Sequence, residues 1–253
     1  MIDINGRVAL VTGGSRGIGR ATALRLAQAG ADVIINYISS KAAALQVAEE
    51  IANLGRNAYV VKADVSEPVD IKSLFDFIGD TIGKLDIVVS NAASGGFRPL
   101  LAMTPNNLTM VMNTNVLPLI LLAQHAAPLM KRSNNRGKIV AISSHGSHMA
   151  LPWYGLIGAS KAALESIARH LTLEIGDYAN VNIVKAGLVA TDSTKNIPGA
   201  EQMFSGRQDK TMVGNRFLQP EDVADAVCFL ASSMSDMIQG TIITVDGGSD
   251  IHI

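Results

Sequence analysis

A glycine-rich stretch near the amino terminus has the residue types and spacing that bind a phosphate. Residues 12–19 read Thr-Gly-Gly-Ser-Arg-Gly-Ile-Gly, after a β-branched run and before a helical pattern. Glycine permits a tight turn and a close backbone approach to a pyrophosphate, and the following helix start supplies free N–H groups. The residues predicted to hold a dinucleotide here are Gly13, Ser15, Arg16, Gly17, Ile18 and Gly19.

The end of the second predicted strand indicates which dinucleotide binds. An acid near this point usually holds the free 2′-hydroxyl of the adenosine ribose, and residues 35–41, INYISSK, contain none. Cations and hydroxyls suit a 2′-phosphate instead, so the sequence favours NADPH over NADH. The predicted contacts from this segment are Tyr37, Ser39, Ser40 and Lys41.

Two later strand ends extend the predicted cofactor site. Asp64-Val65 follows the third predicted strand, where a carboxylate can accept a hydrogen bond from the adenine amino group. Asn91-Ala92-Ala93 follows the fourth, where small residues let the cofactor ribose pass close to the backbone.

Short apolar runs alternate with amphipathic stretches, and this alternation predicts the scaffold that positions these residues. Seven β-branched runs read as strands, at 7–12, 32–37, 57–62, 85–90, 138–143, 180–185 and 241–245. Helical patterns lie between them, at 17–29, 41–54, 70–82, 107–131 with a break near 113–118, 159–175 and 220–232. Such alternation predicts a single α/β domain over 1–253: a doubly wound Rossmann fold with one seven-stranded parallel sheet and helices on both faces.

One segment departs from the alternation. Residues 191–214 follow the sixth predicted strand, are polar and lack a clean period. Because a long loop inside a compact domain is usually functional, we expect a substrate-binding lid here.

Composition excludes several classes of function. The 253 residues carry a net charge of −1 and one cysteine, Cys228, which argues against nucleic-acid binding, disulfides and a cysteine-rich metal cluster. The amino terminus lacks a signal-peptide pattern, and the longest apolar stretch, 116–130, is too short and interrupted to span a bilayer. His145 and His148 are expected beside the cleft with no third ligand nearby. We therefore expect a cytoplasmic protein without a metal site.

Taken together, the motifs resemble those of the short-chain dehydrogenase/reductases. The matching residues are the TGGSRGIG turn, Asp64-Val65, Asn91-Ala92, Asn115, Ser143-Ser144, a Tyr/Lys pair and Val245-Asp246-Gly247-Gly248. The resemblance covers nearly the whole chain and implies an NAD(P)H-dependent oxidoreductase.

The spacing of the Tyr/Lys pair departs from the usual pattern of that family, Tyr-x3-Lys. Position 157 is isoleucine, and the nearest tyrosine, Tyr154, forms Tyr-x6-Lys with Lys161. Residues seven apart lie on nearly the same helix face, about 10.5 Å along the axis, so both side chains can face one cleft. This spacing is similar to the enoyl-acyl-carrier-protein reductases, and Ser144 and the Asn91-Ala92-Ala93 stretch are similar to their L type.

This resemblance implies a reaction and a role for each site residue. Hydride passes to the β-carbon of a trans-2-enoyl thioester carried on acyl carrier protein or CoA, and Tyr154 donates a hydrogen bond to the enolate oxygen. Lys161 holds the nicotinamide ribose, Ser144 orients the thioester, and Asn115 anchors a water chain. After the sixth strand, Val189 and Thr191 match positions that hold the carboxamide and a phosphate, and Gly187 is a further predicted cofactor contact.

Two departures and two alternatives remain. Ser39 stands where the L type has arginine, and Ala186 replaces the proline usual before Gly187. The alternatives are a 3-ketoacyl or other carbonyl reductase, and a non-catalytic NADP-binding sensor. The family resemblance also implies a homotetramer. An apolar acyl channel is predicted from Phe97, Met149, Leu151, Trp153, Met203 and Phe204.

Overall fold

A seven-stranded parallel sheet lies at the centre of the structure, a computed structural model that describes residues 2–191, 194, 201, 204–206, 210–213 and 216–251. The strand order is β3-β2-β1-β4-β5-β6-β7, which confirms the predicted doubly wound fold. The strands are β1 (Val8–Val11), β2 (Asp32–Tyr37), β3 (Ala58–Lys62), β4 (Ile87–Ser90), β5 (Gly137–Ser144), β6 (Ala179–Ala186) and β7 (Ile242–Val245).

Helices cover both faces of this sheet, so each face buries its own apolar cluster. One face packs on α1, α2 and α7, with Leu26 and Val227 among its buried residues; the other packs on α3, α5 and α6, with Leu122 and Leu164. The described helices are α1 (Gly17–Gln28), α2 (Lys41–Asn53), α3 (Pro68–Phe77), α4 (Pro105–Asn115), α5 (Leu117–Lys131), α6 (Gly155–Ile175) and α7 (Pro220–Leu230).

One helix ends where the sequence predicts, at residue 82, whereas another begins earlier than predicted. A π-helical turn, Ile78–Ile82, continues α3 and ends at Gly83, whose φ is 76°. Helix α6 begins four residues before the predicted position 159, and Tyr154 is its N-cap. Trp153, the preceding residue, has a φ of 58°, a left-handed conformation that stops the helix from extending further back. The predicted break near 113–118 is confirmed, at Val116 between α4 and α5.

The strand order brings the predicted site residues to one edge of the sheet. Strand β1 lies between β2 and β4, so the chain turns in opposite directions on its two sides. In open α/β sheets, ligands bind in the crevice beyond the carboxyl ends of the strands at such a reversal. The glycine turn follows β1, Asn91 follows β4, Ser144 ends β5 and Gly187 follows β6.

The apolar stretch 116–130 belongs largely to helix α5. Its buried side chains include Leu119 and Leu122, which pack on the sheet. Among the described helices, none is both long and apolar enough to cross a membrane.

Asp86 ties three strands together at the opposite edge of the sheet. Its fully buried carboxylate accepts hydrogen bonds from the Val8 backbone N–H at 2.9 Å and the Ser133 hydroxyl at 2.6 Å. Its backbone N–H donates to the Val8 carbonyl, and its carbonyl accepts from the Lys138 N–H. A single acid therefore fixes the starts of β1, β4 and β5.

We expect Asp86→Ala to lower the free energy of unfolding by about 2–3 kcal/mol, because it leaves buried donors without their charged acceptor. Urea denaturation followed by circular dichroism measures the change. Asp80→Ala, at an exposed acid in the π-helical turn, is the control and should shift it by less than about 0.5 kcal/mol. Equal losses in both variants would contradict this role.

Candidate functional site

The glycine turn between β1 and α1 forms a tight cradle. Gly13 has a φ of 62°, and Gly19 packs so closely on it that an added Cβ would lie 2.2 Å from the Gly13 carbonyl oxygen. Within the described residues, no side chain caps the start of α1, where Arg16 is extended. The first N–H groups of α1 therefore face the turn without a side-chain acceptor, an arrangement suited to phosphate.

Buried polar side chains hold this turn in place. Asn36 accepts a hydrogen bond from the Gly13 N–H at 3.3 Å and donates to the Ala63 carbonyl at 2.9 Å. Asn91 donates to the Thr12 carbonyl at 2.8 Å, while the Thr12 hydroxyl accepts from the Asn91 N–H. The Asn91 amide, predicted as a cofactor contact, thus links the ends of β1 and β4. The anchoring roles of Asn36 and Thr12 were not predicted; the available signal was a polar residue within the apolar run of β2 and another directly after β1.

A groove of about 350 Å³ runs from this turn along the carboxyl edge of the sheet. Most residues predicted to contact the cofactor line it. They are Gly13, Ser15, Arg16, Gly17, Ile18, Gly19, Ser39, Ser40, Asn91, Ala92, Ala93, Tyr154, Lys161, Gly187, Val189 and Thr191.

Four predicted cofactor contacts do not line the groove. Tyr37 and Val65 are buried and pack in the two apolar clusters. Lys41 is the exposed first residue of α2. One carboxylate oxygen of Asp64 accepts hydrogen bonds from the N–H and hydroxyl of Ser66, at 2.9 and 2.7 Å.

Tyr154 and Ser144 meet where the groove opens into a cavity of about 680 Å³. The two hydroxyl oxygens are 2.9 Å apart, and the Phe97 ring lies 5.9 Å from the Tyr154 ring, centre to centre. Burial raises the pKa of Tyr154, although the hydrogen bond with Ser144 opposes that shift. The phenol is therefore protonated at neutral pH and can donate a hydrogen bond to a bound molecule.

Lys161 lines the same groove and cavity from the second turn of α6. Its ammonium donates to the Ile142 carbonyl at 2.8 Å. Burial lowers its pKa to about 8, with Glu165 acting in the opposite direction. A lysine in this state changes its charge close to physiological pH.

Asn115 has direct partners in the structure. Its amide donates to the Ser160 hydroxyl at 3.0 Å and accepts from the Ser94 N–H at 2.8 Å. These bonds join the end of α4 to α6 and to the loop after β4. Asn115 does not line the groove or the cavity. Its role is to hold α6 and the loop after β4 in place.

The expectation that His145 has no third ligand nearby was wrong. Its Nε2 lies 3.2 Å from Asp246 Oδ2 and 3.7 Å from Asp250 Oδ2, and one ligand atom from each lies within 4.8 Å of the others. Burial alone would raise the pKa of Asp246, but the Gly248 N–H hydrogen bond and the neighbouring His145 bring it below its ordinary value. These acids are over 100 positions away along the chain, so only the fold brings them here.

Part of the predicted lid contributes to the cavity. Thr194, Gly206 and Lys210 line it, whereas most of the segment 191–214, including Met203, lies outside the described residues. Of the predicted acyl channel, Phe97 and Leu151 line the cavity. Three further channel residues are not among its lining, namely Met149, Trp153 and Phe204.

Comparison with known proteins identifies the family. A family model described as "Enoyl-(Acyl carrier protein) reductase" matches residues 13–250. The chain belongs to the short-chain dehydrogenase/reductase family. It is 37% identical to a 1-cyclohexenylcarbonyl-CoA reductase from Streptomyces collinus over 249 residues, 97% of this chain and 87% of the relative.

Other relatives carry different substrate names. A versicolorin reductase from Emericella nidulans is 36% identical, with 97% of this chain and 96% of that protein covered. A short-chain dehydrogenase from Burkholderia cenocepacia, solved with NADP, has a TM-score of 0.89 at 34% identity, covering 98% and 99% of the two chains. A 7α-hydroxysteroid dehydrogenase, solved with NADH and 7-oxo glycochenodeoxycholic acid, has a TM-score of 0.91 at 31% identity, covering 97% and 95%.

The short-chain dehydrogenase/reductase assignment makes the chain an oxidoreductase that uses a nicotinamide cofactor. The residues present fit such a cofactor, because the start of α1 lines the groove at Gly17, Ile18 and Gly19 and has, among the residues that the structure describes, no side-chain cap that would compete with a phosphate.

We expect cofactor binding to weaken as pH rises through about 8, the pKa of Lys161, because the neutral amine loses its attraction for the anionic dinucleotide. The dissociation constant of NADPH, measured by fluorescence, should rise up to about tenfold between pH 7 and 9. Lys161→Met is the control: it should bind NADPH more weakly, with a dissociation constant that does not change between pH 7 and 9. A wild-type constant that does not change with pH would contradict the assignment to Lys161.

Proposed function

We propose that the protein uses NADPH to reduce the carbon–carbon double bond of trans-2-enoyl thioesters, carried on CoA or acyl carrier protein. One observation carries this proposal. Among the described residues, a single phenol lies at the junction of the groove and the cavity. That phenol belongs to Tyr154, three places before the family's usual tyrosine position.

The usual position cannot supply a proton donor in this chain. Ile157 occupies it, is 7% exposed and lines the cavity with an apolar side chain. Its side chain packs on Gly95, where an added Cβ would lie 2.4 Å from Ile157 Cγ1. Tyr154 and Ser144 each offer a hydroxyl to a substrate oxygen at this point.

The displaced phenol suits the position at which negative charge develops during alkene reduction. A ketone receives hydride on the carbon that bears its oxygen, whereas a conjugated thioester receives it on the β-carbon, two carbons from the carbonyl carbon. The oxygen that becomes negative therefore lies farther from the nicotinamide. A donor moved along the cleft can reach that oxygen.

The residues of the site then have distinct tasks. When bound, the cofactor would supply the hydride for the β-carbon, and a proton from solvent would complete the reduction at the α-carbon. Tyr154 donates a hydrogen bond to the thioester oxygen where negative charge develops, and its raised pKa keeps the donor protonated. Ser144, 2.9 Å from that hydroxyl, helps to orient the same oxygen, and Lys161 binds the ribose hydroxyls.

Two comparisons support the substrate class and the cofactor. The Streptomyces collinus relative is named for a CoA thioester whose ring double bond is conjugated with the carbonyl. The Burkholderia cenocepacia structure was solved with NADP, and Arg16, Ser39 and Ser40 line the groove of the present protein without an acid from the end of β2.

The remaining parts of the proposal rest on the sequence patterns and, for the assembly and the pathway, on the family resemblance. We propose a single-domain, cytoplasmic homotetramer acting in fatty-acid biosynthesis, with residues 191–214 as its substrate-binding lid. Light scattering after size-exclusion chromatography measures the assembly, and a monomeric mass would contradict it.

We expect the purified protein to oxidise NADPH with crotonyl-CoA and not with acetoacetyl-CoA, followed by loss of the reduced-cofactor absorbance. Tyr154→Phe should lower kcat about 10²–10³-fold, because it removes one donor to the developing oxyanion. Tyr178→Phe, outside the groove and cavity, is the matched control and should keep full activity. Turnover of the keto substrate alone would favour a carbonyl reductase, and cofactor binding without any turnover would favour a sensor.

We expect kcat/KM for NADPH to exceed that for NADH at least about tenfold, because Arg16 and the hydroxyls after β2 suit a 2′-phosphate. Arg16→Ala should narrow this ratio by lowering the value for NADPH. Arg20→Ala is the control, because the Arg20 guanidinium pairs with Glu50 at 2.7 Å, and it should leave the ratio unchanged. A wild-type preference for NADH would contradict the cofactor proposal.

A further inference from the structure

The Tyr154 ring lies against a residue that has no side chain. Gly146 belongs to the short 3-10 turn His145–Ser147, which directly follows Ser144. An added Cβ at Gly146 would lie 2.3 Å from Tyr154 Cδ1 and 2.4 Å from Cε1. Real Cβ atoms do not approach carbon this closely, so the ring occupies space that only glycine leaves open.

The turn itself has little freedom to move away from the ring. On its other side it touches α6, where an added Cβ at Gly158 would lie 2.4 Å from the Gly146 carbonyl oxygen. The turn is also held at its first residue, because His145 faces Asp246 at 3.2 Å. A larger residue at position 146 would therefore have to displace the ring.

The backbone on both sides of Tyr154 is fixed as well. Trp153 has a left-handed φ of 58°, and its carbonyl accepts a hydrogen bond from the Arg98 N–H at 3.0 Å. Gly155 packs on Leu100, with an added Cβ only 2.5 Å from Leu100 Cγ. A ring that loses its place must rotate about its own side-chain bonds, which moves the hydroxyl away from Ser144.

We propose that Gly146 is a positioning residue that determines where the donor stands, because it alone leaves room for the Tyr154 ring beside Ser144. This inference deepens the proposed function and rests on it for its kinetic part. Gly146 leaves the space that the Tyr154 ring occupies, and the Ile157 side chain fills the space where the family's usual tyrosine would lie.

The kinetic test uses Gly146→Ala, with Gly96→Ala as the matched control. An added Cβ at Gly96 would meet only the Arg98 side chain, at 3.8 Å. Gly146→Ala should lower kcat with crotonyl-CoA at least about tenfold while leaving NADPH binding unchanged, and Gly96→Ala should change neither. In a Tyr154→Phe background the same substitution should lower kcat less than about twofold, because no hydroxyl remains to be misplaced. If Gly146→Ala lowered kcat by the same factor in the Tyr154→Phe background as in the wild type, the proposal would be overturned.

A second measurement needs no substrate. The chain has four tyrosines, so NMR of protein labelled at tyrosine Cζ gives four signals, and the Tyr154 signal is the one absent from Tyr154→Phe. That signal should shift in Gly146→Ala and not in Gly96→Ala. An unshifted signal would overturn the proposal. A wild-type protein that reduces no enoyl thioester would contradict the proposed function alone.

The double variant Gly146→Ala with Tyr154→Ala covers the case in which Gly146→Ala does not fold. Since the ring supplies both of the closest clashes, removing it should restore the thermal midpoint to that of Tyr154→Ala alone. A double variant that still does not fold would overturn the role of the ring.

Discussion

The hydrogen bond between the hydroxyls of Tyr154 and Ser144 is the interaction on which the site depends. It joins the start of α6 to the end of β5, and the two elements pack on each other. A partly buried phenol benefits from such a partner, because a polar group that loses water without gaining a hydrogen bond costs free energy. The partner also orients the phenol, so one contact serves both stability and chemistry.

Behind this contact lies a chain of charged and polar groups, buried at Glu165 and Lys185 and exposed at His148, that links α6 to the carboxyl-terminal turn. Glu165 accepts a hydrogen bond from the Ser143 hydroxyl at 2.6 Å and pairs with Lys185 at 3.3 Å. Lys185 in turn lies 3.2 Å from His148 Nδ1, and His148 Nε2 lies 3.3 Å from Asp250. Each buried charge has an opposite or polar neighbour, as burial requires. The positive charge of Lys161 is favoured by Glu165, the acid at the centre of this chain.

Local patterns predicted the strands, the glycine turn and the break at Val116, because each depends on neighbours along the chain. The parallel, doubly wound arrangement also followed, because strict alternation of strands and helices requires crossover connections. Long-range contacts were inaccessible: Asp246 meets His145, and Asn36 supports the Gly13 N–H, only after folding. The start of α6 was missed because it depends on the left-handed Trp153, and no local preference favours that conformation in tryptophan.

The cluster of polar groups around Asp86 lies at the opposite edge of the sheet from the groove and cavity. There, Lys138 is also fully buried and donates to Asn180 at 3.0 Å and Asp236 at 2.6 Å. The polar groups that anchor the strand starts and the groove and cavity thus lie at opposite ends of the same strands. Changes in the loops at the carboxyl ends of the strands leave the contacts of Asp86 and Lys138 untouched, so substrate selectivity can be redesigned there while this support is kept.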